Sequence, residues 1–404
     1  MRATPVATPV RATPSPNLRF PELQGQRGLA ALAVVIFHSY QYDRSGPTAR
    51  YPLQDSWVHP YLVGLDGMVD WFFVLSAFLL TLPYARALLE GRPLATATEF
   101  LGRRAVRIVP LYFIAVLVVW VSRNPTLPGE WRDLVEHLTF TQVYDDQRIF
   151  YTIGPAWSLA VEVQFYVVLA VLGGVLARTA SRRATPRARL APLIGAIMLL
   201  ACLSVAWWVV AGLVQERPAT DYSIWLGLPA KLAVFAVGMA TAVVVAARPR
   251  SLSRRGAWAL RAGGIGLALA VMTILDRRDS GASDWVFHTT CAVAFAAVVL
   301  AGALGPQSGP WHRASARGFL PWLGLVSYSL YLWHEPLLLH LAGNGLLPAP
   351  SASAFWQTVA ILLPLSLVAA WVSYWVVEYP FSHLRFFLGE VPDRDLQLER
   401  RTAP

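Results

Sequence analysis

Residues 64–81 read GLDGMVDWFFVLSAFLLT. The apolar span around them, 62–84, is long enough to cross a bilayer core of about 30 Å as a helix, which takes roughly 20 residues. Comparable spans recur along the chain, separated by short connections rich in Arg, Pro and Gly. This pattern predicts an all-α fold, a polytopic membrane helix bundle of about ten transmembrane helices. The predicted spans are 28–42, 62–84, 108–122, 156–177, 190–213, 223–246, 261–275, 286–304, 321–341 and 356–377.

The composition of the 404 residues supports a membrane protein. Hydrophobic residues make up 55% of the chain and charged residues 14%, against about 25% charged residues in soluble domains. A soluble enzyme would have too few surface charges, and a disordered chain would not carry so many apolar residues. The two cysteines, Cys202 and Cys291, lie in apolar runs and indicate neither a disulfide framework nor a metal site.

The arginines predict the orientation of the chain in the membrane. Lys231 is the only lysine, so the net charge of +10 comes almost entirely from arginine. With ten spans, 25 arginines fall on the side of both termini and eight on the other side. The positive-inside rule then places both termini in the cytoplasm, and the protein in the bacterial plasma membrane as a multi-pass protein. The charge alternates in step with the spans, which argues against a nucleic-acid partner.

The two ends of the chain differ from the part that holds the spans. Residues 1–20 repeat Pro and Thr and lack the apolar region of a signal peptide, so we predict a disordered cytoplasmic tail. Residues 21–384 contain all predicted spans and form one membrane domain. Residues 385–404 are predicted to form a second cytoplasmic tail.

Arg27 and His38 are the first candidate functional residues, because ionisable groups are costly inside a membrane. They are eleven residues apart, which places both on one helix face and about 16.5 Å apart along its axis. In that arrangement Arg27 can hold an anionic group at the cytoplasmic surface while His38 does chemistry near the midplane. A snorkelling arginine and a histidine that packs between helices would have the same spacing.

Acidic side chains are the next candidates. Asp66 and Asp70 share a helix face, and Glu162 lies in the apolar segment PAWSLAVEVQFYVV, 155–168. A carboxylate near a histidine can fix the histidine tautomer and stabilise its charged form. Hydration at the outer interface would also explain Asp66, and a hydrogen-bonded clamp between helices would explain Glu162.

Three further segments carry polar groups. RRAVRIVP, 103–110, supplies three arginines suited to bidentate contacts with phosphates, although topology or lipid headgroups would also explain them. VSYSLYLWHEPLLLH, 326–340, places His334 and Glu335 directly before a proline that can kink the helix. Lys231 is expected to lie near the membrane surface and to snorkel.

Five segments, in this order, resemble the integral-membrane acyltransferase-3 family, whose members O-acylate sugars, cell-wall polymers and secondary metabolites. The segments are RGLAALAVVIFH (27–38), VDWFFVLSAFLLT (69–81), FLGRRAVRIVPLY (100–112), WSLAVEVQFY (157–166) and LVSYSLYLWHEPL (325–337). The resemblance covers about residues 22–384. Ala77 stands where the family usually has Gly, and Glu335 stands where many members have Trp.

The resemblance implies an acyl-CoA-dependent membrane O-acyltransferase. Cytoplasmic acyl-coenzyme A, with acetyl-CoA the expected form, would be a cosubstrate, without a permanently bound cofactor and without a metal. The family pattern assigns its phosphates to Arg27, Arg103, Arg104 and Arg107. His38 would act as a general base on the acceptor hydroxyl or become acylated itself, and Asp70 or Glu162 would orient it. The residues expected to line the site are Trp157, Ser158, Gln164, Tyr331 and His334.

The acceptor is left open by the sequence. A glycan, a glycolipid or a glycosylated secondary metabolite such as a macrolide would each supply the hydroxyl group. The chain is expected to lack the extracytoplasmic esterase-like domain of some relatives, and no obligate protein partner is predicted. A transporter or flippase is the main alternative, although we find no internal inverted repeat. A scaffold protein would leave the buried acids and histidine unexplained.

Overall fold

The computed structural model describes residues 20–180, 182–248, 251–275 and 280–383. Within these ranges the protein is all-helical, with one isolated β-bridge between Ser45 and Arg50. The predicted tails, 1–20 and 385–404, lie outside the described residues apart from Phe20. The α-helices are α1 (Pro21–Tyr42), α2 (His59–Gly64), α3 (Met68–Glu90), α4 (Ala97–Arg123), α5 (Trp131–Leu138), α6 (Ala156–Ala180), α7 (Pro186–Trp208), α8 (Tyr222–Trp225), α9 (Leu228–Ala247), α10 (Arg254–Ile274), α11 (Gly281–Leu304), α12 (Pro310–Ala316), α13 (Phe319–Leu325), α14 (Ser327–Gly343), α15 (Ala352–Ser373) and α16 (Tyr379–His383).

Eight of the ten predicted spans coincide with helical segments that are long and apolar enough to cross a membrane. Those segments, counted over the described part of the chain, are His59–Glu90, Ala97–Arg123, Ala156–Ala180, Pro186–Val214, Tyr222–Ala247, Arg254–Ile274, Gly281–Leu304 and Ala352–His383.

The other two predicted spans also form helices, but they do not belong to that set. Span 28–42 lies in α1, whose sequence includes the charged residues Glu22 and Arg27. Span 321–341 is divided between α13 and α14, and α14 has only 17 residues. These two helices carry His38 and His334. The total of ten membrane crossings and the cytoplasmic termini stay predictions.

The arginine-rich segment is helical because α4 begins well before it. Thr96 caps the helix by accepting a hydrogen bond from the Glu99 amide at 3.3 Å, and the Glu99 carboxylate accepts one from the Thr96 amide at 2.9 Å. This reciprocal capping box satisfies amides that the first helical turn leaves unpaired. Arg104 and Arg107 are therefore three residues apart on a formed helix and share one face of it.

The beginning of α1 is held by a buried charge cluster. The Glu22 carboxylate accepts a hydrogen bond from Arg261 of α10 at 2.7 Å and lies 3.1 Å from His312 Nδ1 of α12. Glu22 is 1% exposed and Arg261 is 4% exposed. Buried charges are tolerated when they are paired in this way. The cluster fixes the end of α1 that carries Arg27.

Close backbone packing fixes α1 against α13. A methyl group at Gly28 would overlap the backbone of α13 at Leu320 and Gly324, and a methyl group at Gly324 would overlap the Gln24 carbonyl of α1. Glycine at both positions allows the two helices to approach this closely. This contact sets the depth and rotation of the helix that bears Arg27 and His38.

We expect Gly28→Ala to lower the Tm of the detergent-purified protein. The added methyl group would meet backbone atoms that cannot move aside, and overpacking of this kind costs about 1–3 kcal/mol. Gly263→Ala in α10 is the matched control, because a methyl group there meets open space and alanine favours the helix. Thermal unfolding of the three proteins, followed by intrinsic fluorescence, measures the difference. Equal Tm values for Gly28→Ala and wild type would contradict the close α1–α13 contact.

Candidate active site

His38 of α1 is paired with His334 of α14. His38 Nδ1 lies 3.0 Å from the Val34 carbonyl oxygen and 3.2 Å from His334 Nε2. His334 Nδ1 lies 3.1 Å from the Leu330 carbonyl oxygen. Because a carbonyl oxygen only accepts hydrogen bonds, each Nδ1 carries the ring proton when the imidazole is neutral. His38 Nε2 is then left with the lone pair, which makes it the nitrogen available as a base or nucleophile.

A wide cavity of about 780 Å³ lies beside His38. Its volume is within the range of cavities that enclose small molecules. Acidic, imidazole and aromatic side chains share the lining. The members that bear on chemistry are His38, Asp66, Trp157, Trp225, Asp284, His288, Tyr331 and Glu335.

A second, narrower pocket of about 110 Å³ lies beside Arg27. Three guanidinium groups line it, from Arg27, Arg104 and Arg107, together with the carboxylate of Glu162. The Glu162 carboxylate accepts a hydrogen bond from the Ser76 hydroxyl. Three guanidiniums against one carboxylate leave the pocket positively charged, and guanidinium groups bind phosphates through paired N–H donors. The pocket is therefore suited to a phosphate-bearing ligand.

Tyr331 of α14 is the one described residue that lines both the wide cavity and the narrow pocket. Its hydroxyl group lies 2.7 Å from the Ser158 hydroxyl and donates a hydrogen bond to the Pro155 carbonyl at 3.0 Å. Both partners belong to the segment that begins α6, so these bonds hold the tyrosine ring between the two spaces. Tyr331 thus lies between the guanidinium-lined pocket and the histidine-lined cavity.

A family model described as an acyltransferase domain matches residues 20–376. The chain belongs to the acyltransferase-3 family. It is 24% identical over 386 residues to the acyltransferase MdmB of Streptomyces mycarofaciens, covering 91% of this chain and 92% of that protein. It is 24% identical over 387 residues to the O-acetyltransferase OatA of Staphylococcus aureus, covering 91% of this chain and 58% of that protein. The chain thus spans little more than half the length of OatA, and no solved structure matches it.

Family membership and the apolar helices together make the chain a multi-pass membrane protein of the acyltransferase-3 family. The acyltransferase-3 pattern assigns four arginines to phosphate binding, but one of them does not line the narrow pocket. Arg27, Arg104 and Arg107 line the narrow pocket, whereas Arg103 is not among its lining residues. One residue along a helix turns the side chain by about 100°, so Arg103 and Arg104 lie on different faces of α4.

The structure gives both acids expected to orient His38 another partner. Asp70 Oδ2 lies 2.6 Å from His288 Nδ1, and Glu162 accepts from Ser76. Among the described residues, neither carboxylate has a hydrogen bond to His38. The side chain that contacts the ring nitrogen of His38 is His334. His334 is fully buried and is not among the residues that line either space. In this acyltransferase it therefore lies behind His38 and is placed to position it.

Of the remaining predicted site residues, two line one of the two spaces each. Trp157 lines the wide cavity, and Ser158 lines the narrow pocket. Gln164 lines neither space. Its side-chain amide accepts a hydrogen bond from the Tyr144 hydroxyl at 2.6 Å and donates one to the Phe140 carbonyl at 2.9 Å. Lys231 does not snorkel: it is 2% exposed, and its Nζ lies 5.8 Å from the centre of the Trp157 ring.

Sequence reasoning missed His288 and Asp284, and it gave Glu335 no role in the site. His288 lies within the predicted span 286–304, and Asp284 precedes it by four residues, so a helix-face test of that span would have found the pair. Glu335, which stands where many acyltransferase-3 members have Trp, lines the wide cavity. Its carboxylate accepts a hydrogen bond from the Gly154 amide at 2.7 Å.

Proposed function

We propose that this acyltransferase moves an acyl group, most simply acetyl, from cytoplasmic acyl-CoA to a hydroxyl group of a glycan, a glycolipid or a glycosylated secondary metabolite such as a macrolide. One observation carries the proposal. A pocket lined by guanidinium groups and a wide cavity with an oriented histidine meet at a single tyrosine. That arrangement suits a phosphate-bearing donor on one side and a bulky acceptor on the other.

The donor half of the proposal depends on the guanidinium pocket. Arg27, Arg104 and Arg107 would bind the phosphate groups of coenzyme A through charge-assisted hydrogen bonds. The pantetheine arm would pass Tyr331 and bring the thioester to His38, which is about 16.5 Å from Arg27 along α1. A long, thin arm fits this distance better than a compact acyl donor does.

The chemistry depends on His38 Nε2. In direct transfer, Nε2 removes the proton of the acceptor hydroxyl while the oxygen attacks the thioester carbonyl. The C–S bond then breaks, and the imidazolium gives the proton to the departing thiolate. In a two-step route, Nε2 attacks the thioester carbonyl, the C–S bond breaks and coenzyme A leaves as its thiolate. The acceptor oxygen then attacks the acyl group, the bond to Nε2 breaks, and the hydroxyl proton passes through Nε2 to the thiolate. Both routes need the lone pair on Nε2, which is present when Nδ1 carries the ring proton.

We expect His334→Phe to lower kcat about 10- to 100-fold while the KM for acetyl-CoA changes little, because residues that orient a reactive group have effects of this size. Phenylalanine fills the volume but cannot accept a hydrogen bond from His38 Nδ1. Initial rates over a range of acetyl-CoA concentrations separate kcat from KM. His334→Gln, which keeps a hydrogen-bonding side chain, is the comparison and should recover part of kcat. Full activity of His334→Phe would show that His38 needs no partner.

The proposed function is tested in proteoliposomes with radiolabelled acetyl-CoA and a panel of acceptors. The panel contains methyl β-D-glucoside, N-acetylglucosamine, glucosamine, methyl β-D-glucuronide and a glycosylated macrolide. Label on a panel member, with one free thiol released per label, supports the proposal. Movement of a panel member across the membrane without thiol release would overturn it and favour a transporter. Absence of both label and thiol release would also overturn it.

A further inference from the structure

A second charged array lies in the bundle and is not used by the chemistry assigned to His38. His288 of α11 is placed between two carboxylates, with Asp70 Oδ2 of α3 2.6 Å from its Nδ1 and Asp284 Oδ2 of α11 3.3 Å from its Nε2. Both ring nitrogens face carboxylates, an arrangement that an imidazolium with two N–H donors satisfies. An imidazolium has no lone pair, so in this arrangement His288 holds its neighbours and does not act as a second base.

The array runs from the bundle interior toward the wide cavity. The exposed fraction of the side chain is 1% for Asp70, 8% for His288 and 17% for Asp284. His288 and Asp284 line the cavity, whereas Asp70 is not among its lining residues. Asp284 also lies in the first turn of α11, where the helix dipole stabilises a negative charge. Asp284 is therefore the end of the array that a molecule in the cavity can reach.

The two carboxylates do not converge on one point. They contact opposite nitrogens of the same ring, so the imidazole lies between them, whereas the ligands of a metal ion surround a common centre. No group of three metal-binding side chains is placed to hold an ion among the described residues. The array is better suited to holding Asp284 rigidly in one orientation.

Fixed aromatic rings line the same cavity. The indole of Trp225 is 2% exposed, and its Nε1 donates to the Pro218 carbonyl at 2.9 Å. Trp157 is held under the ammonium group of Lys231. A sugar ring presents C–H groups on its faces and hydroxyl groups at its edge. It can therefore pack on the partly exposed Trp157 indole, which the buried Trp225 does not offer, while a carboxylate accepts hydrogen bonds from its hydroxyl groups.

The charges of the cavity restrict the ligand further. Asp66, Asp284 and Glu335 bring three carboxyl groups to the described lining, against two cationic groups, the Arg44 guanidinium and the His288 imidazolium. An acceptor with its own carboxylate or phosphate would be repelled at close range, whereas a neutral or amine-bearing one would not.

We propose that Asp284 anchors the hydroxyl acceptor in the wide cavity, with His288 and Asp70 as positioning residues, and that the acceptor is a neutral or amine-bearing polyhydroxylated ring. The inference rests on the proposed function, because it concerns the acceptor of that reaction. His38 acts on the reacting hydroxyl, and Asp284 binds neighbouring hydroxyl groups of the same ring. No bond other than those already described for acyl transfer is formed or broken.

The test compares Asp284→Asn with wild type on the uncharged panel member that the wild type acylates fastest. Asparagine keeps the shape and removes the charge, and losing a hydrogen bond to a charged group should raise the acceptor KM about tenfold. The kcat and the KM for acetyl-CoA should stay close to wild type. His288→Gln should raise the acceptor KM in the same way, because it releases Asp284. Asp55→Asn, on an exposed aspartate that pairs with Arg50, is the control and should match wild type.

A charge comparison makes a second, independent test. Wild type should acylate methyl β-D-glucoside or glucosamine faster than methyl β-D-glucuronide, and Asp284→Asn should narrow that difference. An unchanged acceptor KM in Asp284→Asn would overturn the anchor, as would a loss of kcat and of acetyl-CoA affinity together, which is the result of a merely structural role. If the wild type acylates no panel member, the proposed function itself fails, and that outcome is distinct from either result with the variant.

Discussion

The His38→Ala variant is expected to lose acyl transfer about a thousandfold in kcat, because a positioned acid–base or nucleophilic group contributes factors of this order. His38 Nε2 keeps its lone pair when the ring is neutral, and His38 is the member of the histidine pair that lines the wide cavity. Neither Asp70 nor Glu162 is placed to replace it, since one is bonded to His288 and the other to Ser76. The loss should appear in kcat and leave the KM for acetyl-CoA within a few-fold.

The measurement is label transfer in proteoliposomes that contain equal amounts of inserted protein. His340→Ala is the matched control, because His340 lies at the exposed end of the same helix that carries His334. It should keep wild-type activity. A His38→Ala protein that inserts and melts like wild type yet still transfers the acyl group would contradict the role of His38. Mass spectrometry of wild type mixed with acetyl-CoA alone distinguishes the two routes, since only the two-step route leaves an acylated histidine.

The double variant Arg104→Ala/Arg107→Ala is expected to raise the KM for acetyl-CoA about a hundredfold. Each substitution removes charge-assisted hydrogen bonds worth roughly 1.5 kcal/mol. Two such losses raise the KM by about two powers of ten. The KM for S-acetylpantetheine, which lacks the phosphate groups, should change little. In wild type, acetyl-CoA should be much the better donor, and the double variant should treat the two donors almost alike.

The control for the arginine variants is Arg187→Ala, which removes an arginine that is exposed at the start of α7. It preserves the pocket and should keep the preference for acetyl-CoA. A double variant that binds acetyl-CoA less well but still discriminates strongly against S-acetylpantetheine would show that the phosphates bind elsewhere. Each donor has to be measured at several concentrations. An equal fall in kcat with both donors would indicate damage to the fold and not loss of phosphate contacts.

The parts of the fold that follow from local pattern could be read from the sequence. Eight apolar spans form long helices. These helices could be predicted because the length of an apolar run is a property of adjacent residues and does not depend on tertiary contacts. The shared face of Arg27 and His38 followed from helix arithmetic, and α1 is a continuous helix that contains both. The division of span 321–341 between α13 and α14 was not predicted. The helix is interrupted between Leu325 and Ser327, inside an apolar run.

Partnerships across the bundle could not be read in the same way. His334 is 296 residues from His38, and His288 is 218 residues from Asp70. Which side chains meet at such separations depends on how helices rotate and pack, and periodicity does not specify that. Lys231 shows the same limit, because its position near the start of a span suggested a surface, whereas the neighbouring helices enclose it.

If the donor and the acceptor of the proposed reaction enter from opposite faces of the membrane, the position of Tyr331 has an electrical consequence for the cell. An enzyme that takes a donor from one face of a membrane and an acceptor from the other needs two water-filled mouths in one bundle. If those mouths joined, protons would run down the membrane potential through every copy of the protein. The Tyr331 ring, held by hydrogen bonds to Ser158 and Pro155, lies where the two spaces meet and would keep such mouths apart. The thin arm of the proposed donor would fill the space it passes through beside this ring, so acyl transfer would not open a proton leak across the membrane.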